Sequence, residues 1–202
     1  MKKSGKEKIY DALCLLAAGK PLDKVSISSL VAEAGMNRTS FYYHFDSVQA
    51  AVDSLIDDFS NQYLDLLWQI PRQAGLGREH WMEAEHQVCA FVNDRKEHIR
   101  FILSAPNNLN FKRRFLNCFY SHCHGGQFQV VQVCPDGQTR PLKQGIPYDY
   151  YLQVTAYHLL GILEFWAERN FSEEAEDFIQ ILGTIYSCRI QAHGRTQQAK
   201  DD

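Results

Sequence analysis

An all-α fold is predicted, and three observations carry the prediction. Apolar residues recur at helical spacing in segment after segment of the 202-residue chain. The stretch Ser26–Phe45, SISSLVAEAGMNRTSFYYHF, reads as a short helix, a glycine-containing turn and a second short helix rich in hydroxyls and aromatics, the plan of a helix-turn-helix. The one β-like run, QFQVVQVC, has no evident second strand. With 45% hydrophobic and 12% aromatic residues the chain can fill a substantial core.

Taken in order, the first helix runs from Ser4 to Gly19. Ile9, Leu13, Leu16 and Ala17, with Ala12 beside them, form its apolar side, and Lys3, Lys6 and Lys8 crowd its opening turn. Gly19 and Pro21 end it. After a connector at 22–25, Ser26 or Ser28 caps a helix whose face is Ile27, Leu30, Val31 and Ala34. Gly35 stops that helix, because a left-handed backbone is cheap there. Asn37 caps the next helix, Arg38 to Phe45, with Phe41 and Phe45 four apart and facing inward. Arg38, Thr39, Ser40, Tyr42, Tyr43 and His44 are left on its exposed sides, a composition poorly suited to solvent alone.

A long helix follows from Ser47 to about Ile70, then a loop at 71–77 and a helix from Arg78 to Asn93. Another helix covers Arg95 to Ser104 and breaks at Ala105-Pro106, and the next covers Asn108 to about His122 with an aromatic face. Residues 125–147, with four glycines and three prolines, read as a long loop. Two final helices, Tyr148–Asn170 and Ser172 to about Ala192, carry apolar stripes wider than one intrachain face needs; Ser172 caps the last ahead of Glu173, Glu174 and Glu176. The domain division expected is 1–46 for the head and 47–202 for the remainder.

Net charge is −3, which argues against a surface that binds nucleic acid all over. Residues 1–50 nevertheless hold seven Lys/Arg against five Asp/Glu, whereas the rest hold fourteen against nineteen. The positive end coincides with the helix-turn-helix, as an electrostatic footprint on phosphate requires. No apolar run approaches the roughly 20 residues needed to cross a bilayer, and MKKSGKEKIY has no apolar segment behind it, so a cytoplasmic protein is expected. The six cysteines have no framework spacing and are expected to be reduced. Cys118, His122, Cys123 and His124 crowd a helix end, but their spacing matches no closed metal site, and no metal or other cofactor is expected. No nucleophile elbow, phosphate-binding glycine loop or HExxH motif is present, so no enzyme is expected.

GMNRTSFYYHFDSVQAAV, preceded by ISSLVAEA, resembles the DNA-binding signature of the TetR/AcrR family of bacterial regulators, in which a glycine turn leads to Y-x-H-F. The match covers roughly residues 24–55. It departs from the pattern at Val48, where the family usually places a phosphate-binding lysine. The resemblance implies that Thr39, Ser40 and Tyr43 approach base edges, with Arg38 near bases or phosphate and Tyr42 and His44 on phosphate; Lys24 and Ser26 complete the DNA-contacting set. Hydroxyls, a phenol and a helix N-terminus are suitable phosphate partners. The competing structural reading packs Tyr42 and His44 against the first helix.

The resemblance also implies an unknown small-molecule effector in a chamber formed by Tyr63, Leu67, Trp81, His86, Phe101, Phe115, Phe119, Tyr150 and His158. It implies as well a homodimer formed through the last two helices, with Gly161, Phe165, Trp166, Phe178, Leu182 and Ile185 at the interface. The expected function is a ligand-responsive regulator, a repressor, that binds a pseudo-palindromic operator as a dimer. The alternatives are an interaction module of the same fold that binds another regulator, and a metal- or redox-responsive regulator.

Overall fold

The computed structural model describes residues 3–69, 78–124, 132–133, 139–140, 147–172 and 177. Their regular elements are helices apart from one short antiparallel strand pair. The elements are α1 (Gly5–Gly19), a 3-10 turn (Leu22–Lys24), α2 (Ile27–Glu33), α3 (Arg38–His44), α4 (Val48–Leu67), α5 (Arg78–Asp94), α6 (Lys96–Leu103), α7 (Ala105–His124), β1 (Gln132–Val133), β2 (Thr139–Arg140) and α8 (Tyr148–Glu168). The strands pair Gln132 with Arg140 and Val133 with Thr139, so the apolar run near 128–134 does have a second strand. By contacts the chain divides into two compact units, Met1–Asp65 with Phe91–Phe119, and Leu66–Ala90 with Tyr120–Asp202.

The first unit is built on caps the sequence makes easy to read. Ser4 accepts from the Glu7 amide at 3.2 Å while Glu7 accepts from the Ser4 amide at 2.7 Å, a reciprocal box that fixes the start of α1. Ser26 and Ser29 do the same for α2, and Asn37 Oδ1 accepts from the Ser40 amide at 2.8 Å at the start of α3. Gly35 sits at φ 62° in the turn between α2 and α3, as expected. Ile9, Leu13, Leu30, Phe41, Phe45 and Val52 are buried among α1 to α4, so each short helix is held by its apolar side rather than by its own propensity.

Polar ties fasten this head to the other helices of the same unit. Tyr10 of α1 donates to Asp58 at 2.7 Å and lies 2.8 Å from the Ser54 hydroxyl, both on α4, and Lys6 pairs with Asp58 at 2.9 Å. His98 of α6 meets Asp11 of α1 at 3.0 Å. Burial pushes the His98 imidazole below its ordinary value although the Asp11 carboxylate pulls the other way. Arg114 of α7 spans Asp53 and Asp57 of α4 at 2.5 and 2.6 Å. Burial raises the Asp53 carboxyl, but hydrogen bonds from Gln49, Asn110 and Arg114 outweigh it and hold the group below its usual range.

Three boundaries differ from expectation. Helix α4 ends at Leu67 rather than near Ile70. Helix α7 begins at Ala105, so Pro106 lies inside its first turn instead of ahead of it; an amide there has no intrahelical acceptor, and proline loses nothing by lacking one. Helix α8 ends at Glu168, and the chain then turns through Asn170 and Phe171 at φ 60° and 54°. That conformation costs a non-glycine residue about 1–2 kcal/mol, which Phe171 offsets by burying its ring 5.8 Å from Trp166. The final helix expected from Ser172 to Ala192 lies outside the described residues apart from its first residue and Asp177, and so does most of the 125–147 loop.

Candidate nucleic-acid interface

Helix α3 divides sharply by exposure. Phe41 and Phe45 are buried, their rings 5.9 Å apart, and anchor the helix to α1 and α2. On the outer side Tyr43 is 85% exposed and Tyr42 53% exposed, with Arg38 and Thr39 exposed beside them and Ser40 half-buried. Tyr42 stands edge-on to Phe41 at 5.7 Å, so its ring is braced while the phenol faces out. Two bulky phenols held in water by a seven-residue helix are costly unless something covers them.

His44 behaves differently from its neighbours. It is half-buried, perpendicular to Tyr43 at 5.0 Å and 6.1 Å from the Phe45 ring. Its Nε2 also lies against the start of α1: a Cβ built on Gly5 would fall 2.5 Å from it. His44 therefore lies against the first residue of α1, whereas Tyr42 is braced on Phe41 and 53% exposed. Sequence reasoning missed the Gly5 contact. Its only signal was a glycine directly after the Ser4 cap, where a stronger helix former is usual.

The cations are fewer than the composition suggests. Lys3 pairs with Asp11 at 2.6 Å and Lys6 with Asp58, so both are engaged with the protein's own carboxylates. Lys24 is exposed and only loosely near Asp23 at 3.9 Å, and Arg38 makes no ion pair among the described residues. Val48, in place of the usual lysine, is half-buried at the first turn of α4. Ser26 is exposed and acts as the α2 cap.

The residues expected around an effector are divided between the two units. Tyr63, Phe101, Phe115 and Phe119 are buried in the first. There Phe59 stacks on Tyr63 at 5.7 Å and on Phe91 at 5.6 Å, and Phe115 lies 6.3 Å from Tyr63 and 5.8 Å from Phe111. Such ring spacings are those of a filled aromatic core. In the second unit Leu67, His86 and His158 are half-buried, and the His86 ring turns back to the Met82 carbonyl at 2.7 Å. Tyr150, expected to face inward, is 64% exposed, and the Trp81 side chain lies outside the described residues.

Sequence reasoning also missed Glu85, on α5 in the second unit. Its side chain is only 4% exposed and its Oε2 has no hydrogen-bond partner among the described residues. Burial raises its carboxyl from 4.5 to about 7. A lone glutamate on a helix carries no sequence mark of burial.

On α8, Gly161 and Phe165 are exposed, but Trp166, expected at a dimer interface, is buried within the chain. The exposed line is Tyr150, Val154, Tyr157, Gly161 and Phe165, against a buried line of Leu152, Ala156, Leu163 and Trp166. The helix is apolar nearly all round, so periodicity alone did not choose between faces. Phe178, Leu182 and Ile185 lie outside the described residues. Among the described residues no group of three or more His, Cys, Asp or Glu could hold a metal ion. Burial raises the thiols of Cys118 and Cys123, the latter to about 11, so neither is a ready thiolate.

A braced, outward-facing second helix behind a positive-φ glycine turn is the arrangement of a helix-turn-helix. Residues 9–50 match the family described as bacterial regulatory proteins, tetR family. The fold is shared with TetR-family transcriptional regulators along nearly the whole chain. One such structure, a putative TetR-family transcriptional regulator from Syntrophomonas wolfei, is 15% identical with a TM-score of 0.57, covering 92% of this chain and 94% of that one. A TetR transcriptional regulator from Streptococcus agalactiae is 16% identical with a TM-score of 0.51, covering 92% and 93%. The fatty acid degradation regulator FadR from Bacillus halodurans is 13% identical with a TM-score of 0.54, covering 92% and 96%. No curated protein matches the chain. No described helix is long and apolar enough to cross a membrane.

Proposed function

We propose that the protein is a dimeric, effector-responsive repressor of the cytoplasm that reads a pseudo-palindromic operator. The observation carrying this is the outer face of α3, where Arg38, Thr39, Tyr42 and Tyr43 stand exposed on a helix anchored by Phe41 and Phe45. Thr39, Ser40 and Tyr43 read base edges in the major groove, Tyr42 and His44 donate to phosphate, and Lys24, Ser26 and Arg38 flank them. Dimerisation uses the exposed α8 line through Gly161 and Phe165, joined by Phe178, Leu182 and Ile185 of the last segment, and places two α3 helices about one helical turn apart. Footprinting on the DNA flanking the protein's own gene tests this. Two protected half-sites separated by about 10 bp are expected; a single unpaired footprint rejects the dimeric reading.

Glu85 supports the effector part of the reading. A buried carboxyl whose Oε2 finds no partner among the described residues is satisfied by a ligand that brings a hydrogen-bond donor or a positive charge. In the absence of such a ligand it destabilises the fold. Its folded value lies above the unfolded one, so stability is greatest below pH 4.5 and declines as pH rises to about 7. Glu85→Gln is therefore expected to raise the thermal midpoint at pH 8, with little change at pH 4.5. Equal shifts at both pH values, read by calorimetry, would show that Glu85 is not the buried acid described.

A further inference from the structure

The contact between His44 and Gly5 assigns a role to a residue outside the helix-turn-helix, and the inference rests on the DNA-binding reading above. The Nε2 atom of His44 lies 2.5 Å from the place a Cβ on Gly5 would take, with Cδ2 and Cε1 at 3.3 and 3.4 Å. No side chain larger than hydrogen shares that space with the imidazole. The ring is bounded on its other sides by Tyr43 and Phe45. Its neighbours among the described residues are thus the Gly5 backbone and two rings, which fix its place by packing.

We infer that Gly5 is a positioning residue for DNA binding: the missing Cβ at the first residue of α1 is what holds the His44 imidazole where it meets the phosphate strand. Helix α1 itself is pinned. Its start is closed by the reciprocal Ser4–Glu7 bonds, Lys6 pairs with Asp58, and Tyr10 is bonded to Asp58 and Ser54. The imidazole, in contrast, is the free end of a side chain with two rotatable bonds. A methyl group at residue 5 is therefore accommodated by rotation of the ring and not by movement of the backbone. Alanine is also the stronger helix former, so the same change favours α1.

Two consequences separate this role from a structural one. In Gly5→Ala the thermal midpoint stays level or rises, yet affinity for the flanking operator DNA falls about 10-fold. In DNA-free protein the His44 ring resonances shift by NMR, while the amide resonances of α2 hold their positions. The closing test is a double-mutant cycle measured by DNA titration on the full chain. His44→Ala alone weakens binding, and Gly5→Ala adds nothing in the His44→Ala background. If His44→Ala leaves affinity unchanged, the assignment of His44 to phosphate is what fails. The inference about Gly5 is overturned if His44→Ala weakens binding but Gly5→Ala does not, if the two losses add independently, or if Gly5→Ala lowers the thermal midpoint, since the clash is then absorbed by α1.

Discussion

The double variant Tyr42→Ala/His44→Ala is expected to lose specific DNA binding by at least about 100-fold while keeping its helical content, thermal midpoint and assembly state. In the proposed interface each side chain supplies one hydrogen bond to a charged phosphate, worth about 1.5–3 kcal/mol, and every 1.4 kcal/mol is tenfold in affinity. Tyr42 is exposed and half-buried His44 fills no part of the buried core, so little folding energy goes with them. Gel filtration, circular dichroism and a fluorescence titration on one preparation check all three properties. Unchanged affinity would remove both residues from the interface and return them to a packing role.

Phe41→Ala, one residue earlier, should behave in the opposite way. Phe41 is fully buried, touching Phe45 and bracing Tyr42 from inside. Deleting such a ring costs about 3–5 kcal/mol, a large fraction of the 5–15 kcal/mol that holds a domain together. The expected result is a thermal midpoint lowered by several degrees or more, and DNA binding that disappears with the fold rather than ahead of it. The two variants together distinguish the face of α3 that contacts its target from the face that holds the helix.

The contrast shows what could be read in advance. Caps, the Gly35 turn and the four-residue spacing of Phe41 and Phe45 are local, and each was legible because one residue type answers one backbone need. Pro106 was misjudged for a related reason: proline marks a helix start as well as a break, and only the preceding Ser104, whose carbonyl accepts from Asn107 and Asn108, decides which. The register of α8 was not legible. With apolar residues on nearly every side, its choice to bury Trp166 and expose Tyr150 and Phe165 depends on what packs against it. Gly5 against His44 and Lys6 on Asp58 were invisible because they are contacts across helices, Lys3 on Asp11 because it reaches along α1, and Glu85 because burial leaves no mark on a lone glutamate. The helix-turn-helix was therefore readable, but which of its cations are engaged by the protein's own carboxylates was not.

That loss of cations bears on the central claim. With Lys3 and Lys6 engaged and Val48 in place of a lysine, the proposed interface rests on Arg38, Lys24 and the hydroxyl, phenol and imidazole groups of α3. Fewer released counterions give a shallower dependence on salt than the six to ten phosphate contacts of a strongly basic binder. The direct measurement is a titration of the purified protein against duplex DNA flanking its own gene and against an unrelated duplex of equal length, from 50 to 200 mM salt. The account predicts saturable binding to the flanking DNA at least about 10³-fold tighter than to the unrelated duplex, with log affinity falling linearly and moderately with log salt. Equal affinity for the two duplexes, or no binding to either, would contradict it.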